Sequence, residues 1–164
     1  MTRLRGDELG ADSPFIRQVL SSHTIASTGG MIPSGFVFYP AEPDYASGLA
    51  VDGYAYSAPG GQGDDGAILL ASIWSESPAD RPEAVINVLE GGRRACAAAL
   101  AAAFRDFRCD GIADVVATVP CESVQLEVLK GIGYTSWLED DCPVDKPTVI
   151  LFDYPINTQQ QLEP

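Results

Sequence analysis

The amino-acid sequence predicts an α+β fold: a central mixed, mostly antiparallel twisted sheet with helices on both faces. Between residues 27 and 66, Gly and Pro separate short aromatic or β-branched runs, a pattern typical of antiparallel strands. A strand–helix–strand order then follows over residues 84–119, which indicates a mixed sheet flanked by helices. The chain has 164 residues, of which 46% are hydrophobic and 20% charged, as in an ordinary globular domain. A single domain over residues 13–155 is therefore expected.

The N-terminal part is predicted to hold a short helix followed by strands. Residues 1–12 are polar and are expected to be flexible. Ser13 is predicted to cap a helix over residues 14–21, in which Pro14 takes the first position. Strands are then expected over Phe36–Tyr39 and Leu49–Tyr56, followed by a turn-rich loop over residues 58–66.

The middle of the chain carries the clearest patterns. Residues 67–74 form a nearly continuous apolar run, which predicts a central strand buried on both faces. A second strand is expected over residues 84–89, and Gly91-Gly92 then breaks the regular structure. The following helix repeats apolar residues every three or four positions and is expected to end at Asp110-Gly111. Its predicted buried face is Cys96, Leu100, Phe104 and Phe107, and its predicted solvated face is Arg94, Arg105 and Arg108.

The remaining elements are shorter. The sequence predicts a strand over residues 112–119, a helix over 122–130, strands over 134–138 and 148–154, an acidic loop over 139–147, and a flexible tail over 156–164.

The chain is strongly acidic, with 10 Lys and Arg residues against 23 Asp and Glu residues and a formal net charge of −13. This balance argues against binding to nucleic acid or to an anionic membrane, and it is compatible with a cationic or amine-bearing partner. Solubility alone is the other interpretation of the acidity.

The sequence has neither a long apolar segment nor a signal-peptide core, so we expect a cytoplasmic protein. With four Cys, no Cys-x-x-Cys pair and one His, free thiols are expected and a structural zinc site is not.

The junction at Gly91-Gly92 has the pattern of an anion site. The first backbone N–H groups of a helix lack intrahelical partners, and with the helix dipole they attract phosphate. Arg93 and Arg94 are predicted to lie in that first turn, where cations oppose the dipole unless an anion is bound. Two solvated arginines without a ligand are the alternative.

Two short motifs carry a resemblance to a known family. Residues 90–95 read Glu-Gly-Gly-Arg-Arg-Ala, and residues 129–134 read Leu-Lys-Gly-Ile-Gly-Tyr. With the order of elements around them, these residues resemble the GNAT superfamily of N-acetyltransferases. That family's acetyl-CoA loop reads Arg/Gln-x-x-Gly-x-Gly/Ala, and its later helix commonly ends in Leu-Tyr-x-Lys-x-Gly-Phe. This chain departs from the pattern at Glu90, at Arg93 and at Leu129, where the family often has a tyrosine.

The resemblance implies transfer of an acetyl group from acetyl-CoA to a small-molecule or peptide amine. Backbone groups of Asn87, Val88 and Leu89 would then bind the pantetheine arm. The N–H groups of Arg93, Arg94 and Ala95 would bind the pyrophosphate. A carboxylate would take the proton of the amine, and the candidates are Glu76 and Glu90, each of which is otherwise a solvated turn residue.

Two other functions stay open at this point. A non-catalytic acetyltransferase-like module that has lost cofactor binding would explain the altered loop and the missing tyrosine. A different α+β enzyme, using another thioester or no CoA, would share only the order of elements. The sequence does not decide between a monomer and a homodimer.

Overall fold

The computed structural model describes residues 2–21, 42–61, 65–75, 82–112, 114–120, 127–128, 135–136 and 149–155. These residues form a mixed α+β structure, as the sequence predicts. The strands are β1 (Thr2–Arg3), β2 (Tyr54–Ala58), β3 (Ala67–Trp74), β4 (Glu83–Gly91), β5 (Asp114–Pro120), β6 (Thr135–Ser136) and β7 (Val149–Pro155). The α-helices are α1 (Pro14–Leu20), α2 (Pro43–Asp52) and α3 (Arg93–Cys109), and a 3-10 helix covers Gly6–Leu9.

The strands form one sheet in the order β1-β2-β3-β4-β5-β7-β6. Among the described strands, β4 and β5 run parallel and the other neighbours run antiparallel. A parallel pair needs a crossover connection, and α3 provides it between β4 and β5. The prediction of a mixed, mostly antiparallel sheet is therefore confirmed.

Helices cover both faces of this sheet. Leu69 and Ile86 lie in one buried cluster with Phe104 of α3, which we call the α3 face. Leu70 and Val88 lie in a second buried cluster with residues of α1 and α2, which we call the α1/α2 face. Successive residues of a strand point to opposite faces, so the apolar runs of β3 and β4 supply both clusters. In the described part of the chain, no helix combines the length and apolar character needed to cross a membrane.

The capped helix is confirmed. The Ile16 N–H donates to the Ser13 hydroxyl at 3.3 Å, and Pro14 takes the first helical position. Ile16 and Val19 are buried on the α1/α2 face, which fits their helical spacing.

The structure differs from the prediction in residues 49–52, which end α2 and are not part of a strand. Pro43 opens this helix, and the buried Ala46 and Ala50 lie four residues apart on one side of it. Gly53 ends the helix where the chain passes close to β3, because a Cβ there would lie 2.2 Å from the Ala71 carbonyl oxygen. The expected strand begins only at Tyr54.

Residues 2–12, for which the sequence predicts a flexible segment, carry β1 and the 3-10 helix. Arg3 pairs with Tyr56 of β2, and Leu9 is buried against α1 and α2. The β1–β2 pairing and the packing of Leu9 against α2 join segments that are distant in sequence, so the local composition does not reveal them. Several predicted segments lie outside the described residues: Phe36–Tyr39, 139–147 and 156–164. Of the helix expected over 122–130, only Glu127 and Val128 are described, and both are helical.

The buried face of α3 is confirmed, since Cys96, Leu100, Phe104 and Phe107 have no exposed surface. The opposite face is confirmed for Arg94 and Arg105, which are exposed. Arg108 departs from the prediction: it is half-buried, and its Nε has no hydrogen-bond partner within the described structure.

Candidate functional site

The parallel strands β4 and β5 part at their carboxyl ends. Their pairing runs from Glu83 with Asp114 to Ile86 with Ala117. Beyond that point β4 continues to Gly91 alongside β3, and β5 continues to Pro120 alongside β7. The facing edges of the two strands therefore separate and leave a gap. The carboxyl ends of parallel strands, where neighbours diverge, are a common place for ligands in open α/β sheets.

Asn87 lies where the strands part and forms a β-bulge. Leu70 pairs with Val88 and Ala71 pairs with Ile86, so Asn87 is the extra residue on β4. A bulge bends its strand and increases the twist, which explains why β4 leaves β5 directly after Ile86. Bulges of this kind are common beside active sites.

The side chain of Asn87 is buried. Only 1% of the residue is exposed, and neither Oδ1 nor Nδ2 has a hydrogen-bond partner in the described parts of the chain. A buried polar group in this state costs about 1–3 kcal/mol. The Asn87 amide therefore has a donor and an acceptor whose hydrogen-bonding capacity is unused among the described residues.

The Gly91-Gly92 break is confirmed, with a strand before it and a helix after it. Gly91 has a φ of 135°, and a Cβ there would lie 2.1 Å from the Gly66 carbonyl oxygen. Only glycine therefore fits at the end of β4. The Gly92 N–H donates to the same oxygen at 3.3 Å, while its carbonyl accepts the first helical hydrogen bond from Cys96 at 2.8 Å. The helix thus begins directly at the end of the strand.

The first turn of α3 is electropositive. Gly92 has no side chain to cap the helix, and Arg93 and Arg94 take the first two helical positions, both exposed. The guanidinium group of Arg93 forms an ion pair with Glu127. Arg94 makes no ion pair within the described residues. Its charge and the helix dipole together make this end of α3 attractive to an anion.

A pocket of about 430 Å³ lies at the end of β4, and Gly91 lines it. It is enclosed by the end of α1, the end of β2, the start of β3 and the end of β4, and this volume suits a small molecule. No Lys, Arg or His occurs among its described lining residues, which include two carboxylates. Its polar side chains are those of Gln18, Ser21, Ser57, Asp65 and Glu90.

The structure brings together most of the predicted site residues. Glu90 lines the pocket, and Arg93 and Arg94 begin the adjacent helix. The side chains of Val88, Leu89 and Ala95 are buried, so any ligand contact of these three residues is made by their backbone. Glu76 lies outside the described residues.

Asp65 also lines this pocket, and the sequence analysis did not single it out. It lies in the loop before β3, 25 positions before Glu90, and no local pattern links the two. The antiparallel pairing of Ile68 with Glu90 brings that loop to the end of β4. Only the register of the sheet therefore joins the two carboxylates.

No protein-family model matches this chain, and no curated protein is a significant match. In the part of the chain that the structure describes, no group of three or more His, Cys, Asp or Glu side chains is arranged to hold a metal ion. Cys109 is an exposed free thiol, and Cys96 is buried.

Proposed function

We propose that this protein is an acyl-CoA-dependent N-acyltransferase that transfers an acetyl group to a small-molecule or peptide amine. One observation carries the proposal: the gap between β4 and β5 opens beside a glycine-flanked helix N-terminus. A strand, a glycine pair, a helix and a parallel strand also follow in the order on which the GNAT resemblance rests. The GNAT fold itself is part of this proposal.

The proposed acetyl-CoA site combines two features near the point where β4 parts from β5. They are the first turn of α3 and the side chain of Asn87. The pyrophosphate is the anion that suits the first turn of α3, with Arg94 available to contact it. The pantetheine arm carries amide groups that suit the amide of Asn87, which has no hydrogen-bond partner among the described residues. Both binding regions meet at Gly91-Gly92, two residues that have no side chains of their own to block a ligand.

The proposed acceptor site is the pocket at the end of β4. An amine reaches it as an ammonium ion, which the carboxylates of Asp65 and Glu90 attract. Glu90 then accepts a proton from the ammonium group, directly or through water. The freed lone pair attacks the thioester carbonyl carbon. The C–S bond breaks, an amide forms, and the CoA thiolate leaves and takes up a proton.

The cellular setting is proposed on the same basis. The net charge of −13 favours a cationic acceptor over nucleic acid or an anionic membrane as the partner. A cytoplasmic protein would meet acetyl-CoA and free amines together.

A second function is favoured by the ion pair between Arg93 and Glu127. Glu127 brings a negative charge to the place where a pyrophosphate would bind, and this charge opposes the phosphate. A non-catalytic module with an acetyltransferase-like fold would tolerate this arrangement. Weak or absent binding of acetyl-CoA distinguishes this function from the first.

The deciding experiment combines binding with turnover. Calorimetry with acetyl-CoA tests the cofactor site, and release of free CoA in the presence of a panel of primary amines tests transfer. Glu90→Gln is expected to lower kcat by about 10²–10⁴ while leaving acetyl-CoA affinity within twofold. Glu83→Gln, the same change at the opposite end of β4, is the matched control and should retain turnover. Failure of the unmodified protein to bind acetyl-CoA at millimolar concentration would overturn the proposal in favour of the non-catalytic module.

A further inference from the structure

A second cavity, of about 330 Å³, lies between α2 and the carboxyl end of β3. The acceptor pocket lies at the start of β3, near Ala67, and this cavity reaches Ser72. Ala67 and Ser72 are five residues apart on an extended strand, which corresponds to about 17 Å. We call this second cavity the α2 groove; the lining residues used below are Asp44, Tyr45, Gly48, Asp52, Ser72 and Ile73.

The α2 groove has a carboxylate at each end. Asp44 is the second residue of α2 and Asp52 is the last. Eight helical steps place the two residues about 12 Å apart along the helix axis. Among the described lining residues, no Lys, Arg or His pairs with either carboxylate. The groove therefore suits a ligand with two separated positive charges.

The middle of the groove is apolar and open. Tyr45 is 44% exposed and Ile73 is 38% exposed, which is high for large hydrophobic side chains. Gly48 lies midway between the two carboxylates, and a Cβ added there would have no neighbouring atom within 4 Å. A slender alkyl chain can therefore lie against the helix beside Tyr45.

Ser72 supplies an independent sign of a ligand. The residue is only 4% exposed, it lines the groove, and its hydroxyl has no hydrogen-bond partner among the described residues. Surface carboxylates need no ligand to explain them, but a buried hydroxyl without a partner carries a cost. An N–H group between the two ends of a ligand would satisfy it.

We propose that the α2 groove binds a linear polyamine. The terminal ammonium groups lie at Asp44 and Asp52, the alkyl chain crosses Gly48, and an inner amine donates to the Ser72 hydroxyl. This site is separate from the proposed acyltransferase site, and its existence does not depend on that function.

Calorimetric titration with spermidine tests the proposal. The unmodified protein should bind spermidine at least tenfold more tightly than butylamine, which has one ammonium group. Asp44→Asn and Asp52→Asn should each weaken spermidine binding about tenfold. Asp7→Asn removes the same charge from an exposed position outside the groove, so it should change the affinity less than twofold. Ser72→Ala should weaken binding and at the same time raise the Tm of the free protein, because the unpartnered hydroxyl is gone.

Several outcomes would overturn this site. Equal weakening in Asp7→Asn and Asp44→Asn would show attraction to the overall charge only. Equal affinity for butylamine and spermidine would exclude a two-ended site, and no binding at millimolar spermidine would exclude the site altogether. Loss of binding in Asp65→Asn/Glu90→Gln would assign the polyamine to the acceptor pocket.

Discussion

The hydroxyl of Tyr56, on β2, donates a hydrogen bond of 2.5 Å to the carboxylate of Asp106, on α3. Tyr54 makes the same kind of bond to Asp110, one helical turn later. The guanidinium carbon of Arg3 lies 4.4 Å from the centre of the Tyr54 ring, and its Nη1 lies 3.6 Å from Oδ2 of Asp106. This cluster links β1, β2 and the end of α3, and it explains why the polar N-terminus joins the sheet.

The tyrosine cluster predicts a loss of stability at high pH. Burial raises the pKa of Tyr54 and of Tyr56 above their usual value, and the hydrogen bonds to Asp110 and Asp106 raise it further. Above about pH 10 the unfolded chain loses these protons while the folded protein keeps them, so the free energy of unfolding falls as the pH rises. Each tyrosine contributes a slope of about 1.4 kcal/mol per pH unit in that range. Urea unfolding of the Tyr54→Phe/Tyr56→Phe variant should show a shallower slope than the unmodified protein, and equal slopes would contradict the assignment.

Two glycine substitutions should have opposite effects on stability. Gly91→Ala forces a side chain into a positive-φ position and against the backbone of Gly66, so it should cost at least about 1–3 kcal/mol. Gly48→Ala lies in the interior of α2 with open space around it and should stabilise the protein by about 0.5–1 kcal/mol. Both values follow from urea unfolding monitored by circular dichroism. A neutral Gly91→Ala would mean that the β4–α3 junction is not as tight as described.

Asn87→Leu should separate stability from binding. Replacing an unpartnered buried amide by an apolar side chain of similar size should leave the free energy of unfolding unchanged or raise it by about 1–3 kcal/mol. The same change should weaken acetyl-CoA binding at least tenfold and leave the affinity for adenosine bisphosphate, which lacks the pantetheine arm, within twofold. If both ligands bind the variant as they bind the unmodified protein, Asn87 does not contact the arm.

Arginine replacements test the anion site. Replacing Arg93 and Arg94 together by alanine should weaken acetyl-CoA binding at least tenfold, about 1.4 kcal/mol, because an arginine–phosphate contact is charge-assisted. Arg105→Ala is the matched control, since this residue is exposed on the same helix three turns away from the N-terminus. An unchanged Kd in the double variant would remove the two arginines from the site.

Local signals in the sequence were sufficient for several elements. The Ser13-Pro14 pair marks the start of α1, and a continuous apolar run marks β3. The sequence analysis missed α2 although Pro43 marks its first position, because the buried side of this helix is carried only by Ala46 and Ala50 and gives little apolar periodicity. Its packing depends on distant contacts such as the bond from the Ser47 hydroxyl to the Leu9 carbonyl oxygen.

The sequence by itself determined the elements whose cause lies within a few residues: the cap at Ser13, the buried face of α3 and the glycine break after β4. The tertiary structure decided which of these elements build a site. Asp65 and Glu90 line one pocket only because β3 and β4 pair in a particular register, and Asn87 is a bulge only relative to Leu70 and Ala71. Strand pairing joins residues that are far apart in the chain, so no local pattern encodes its register.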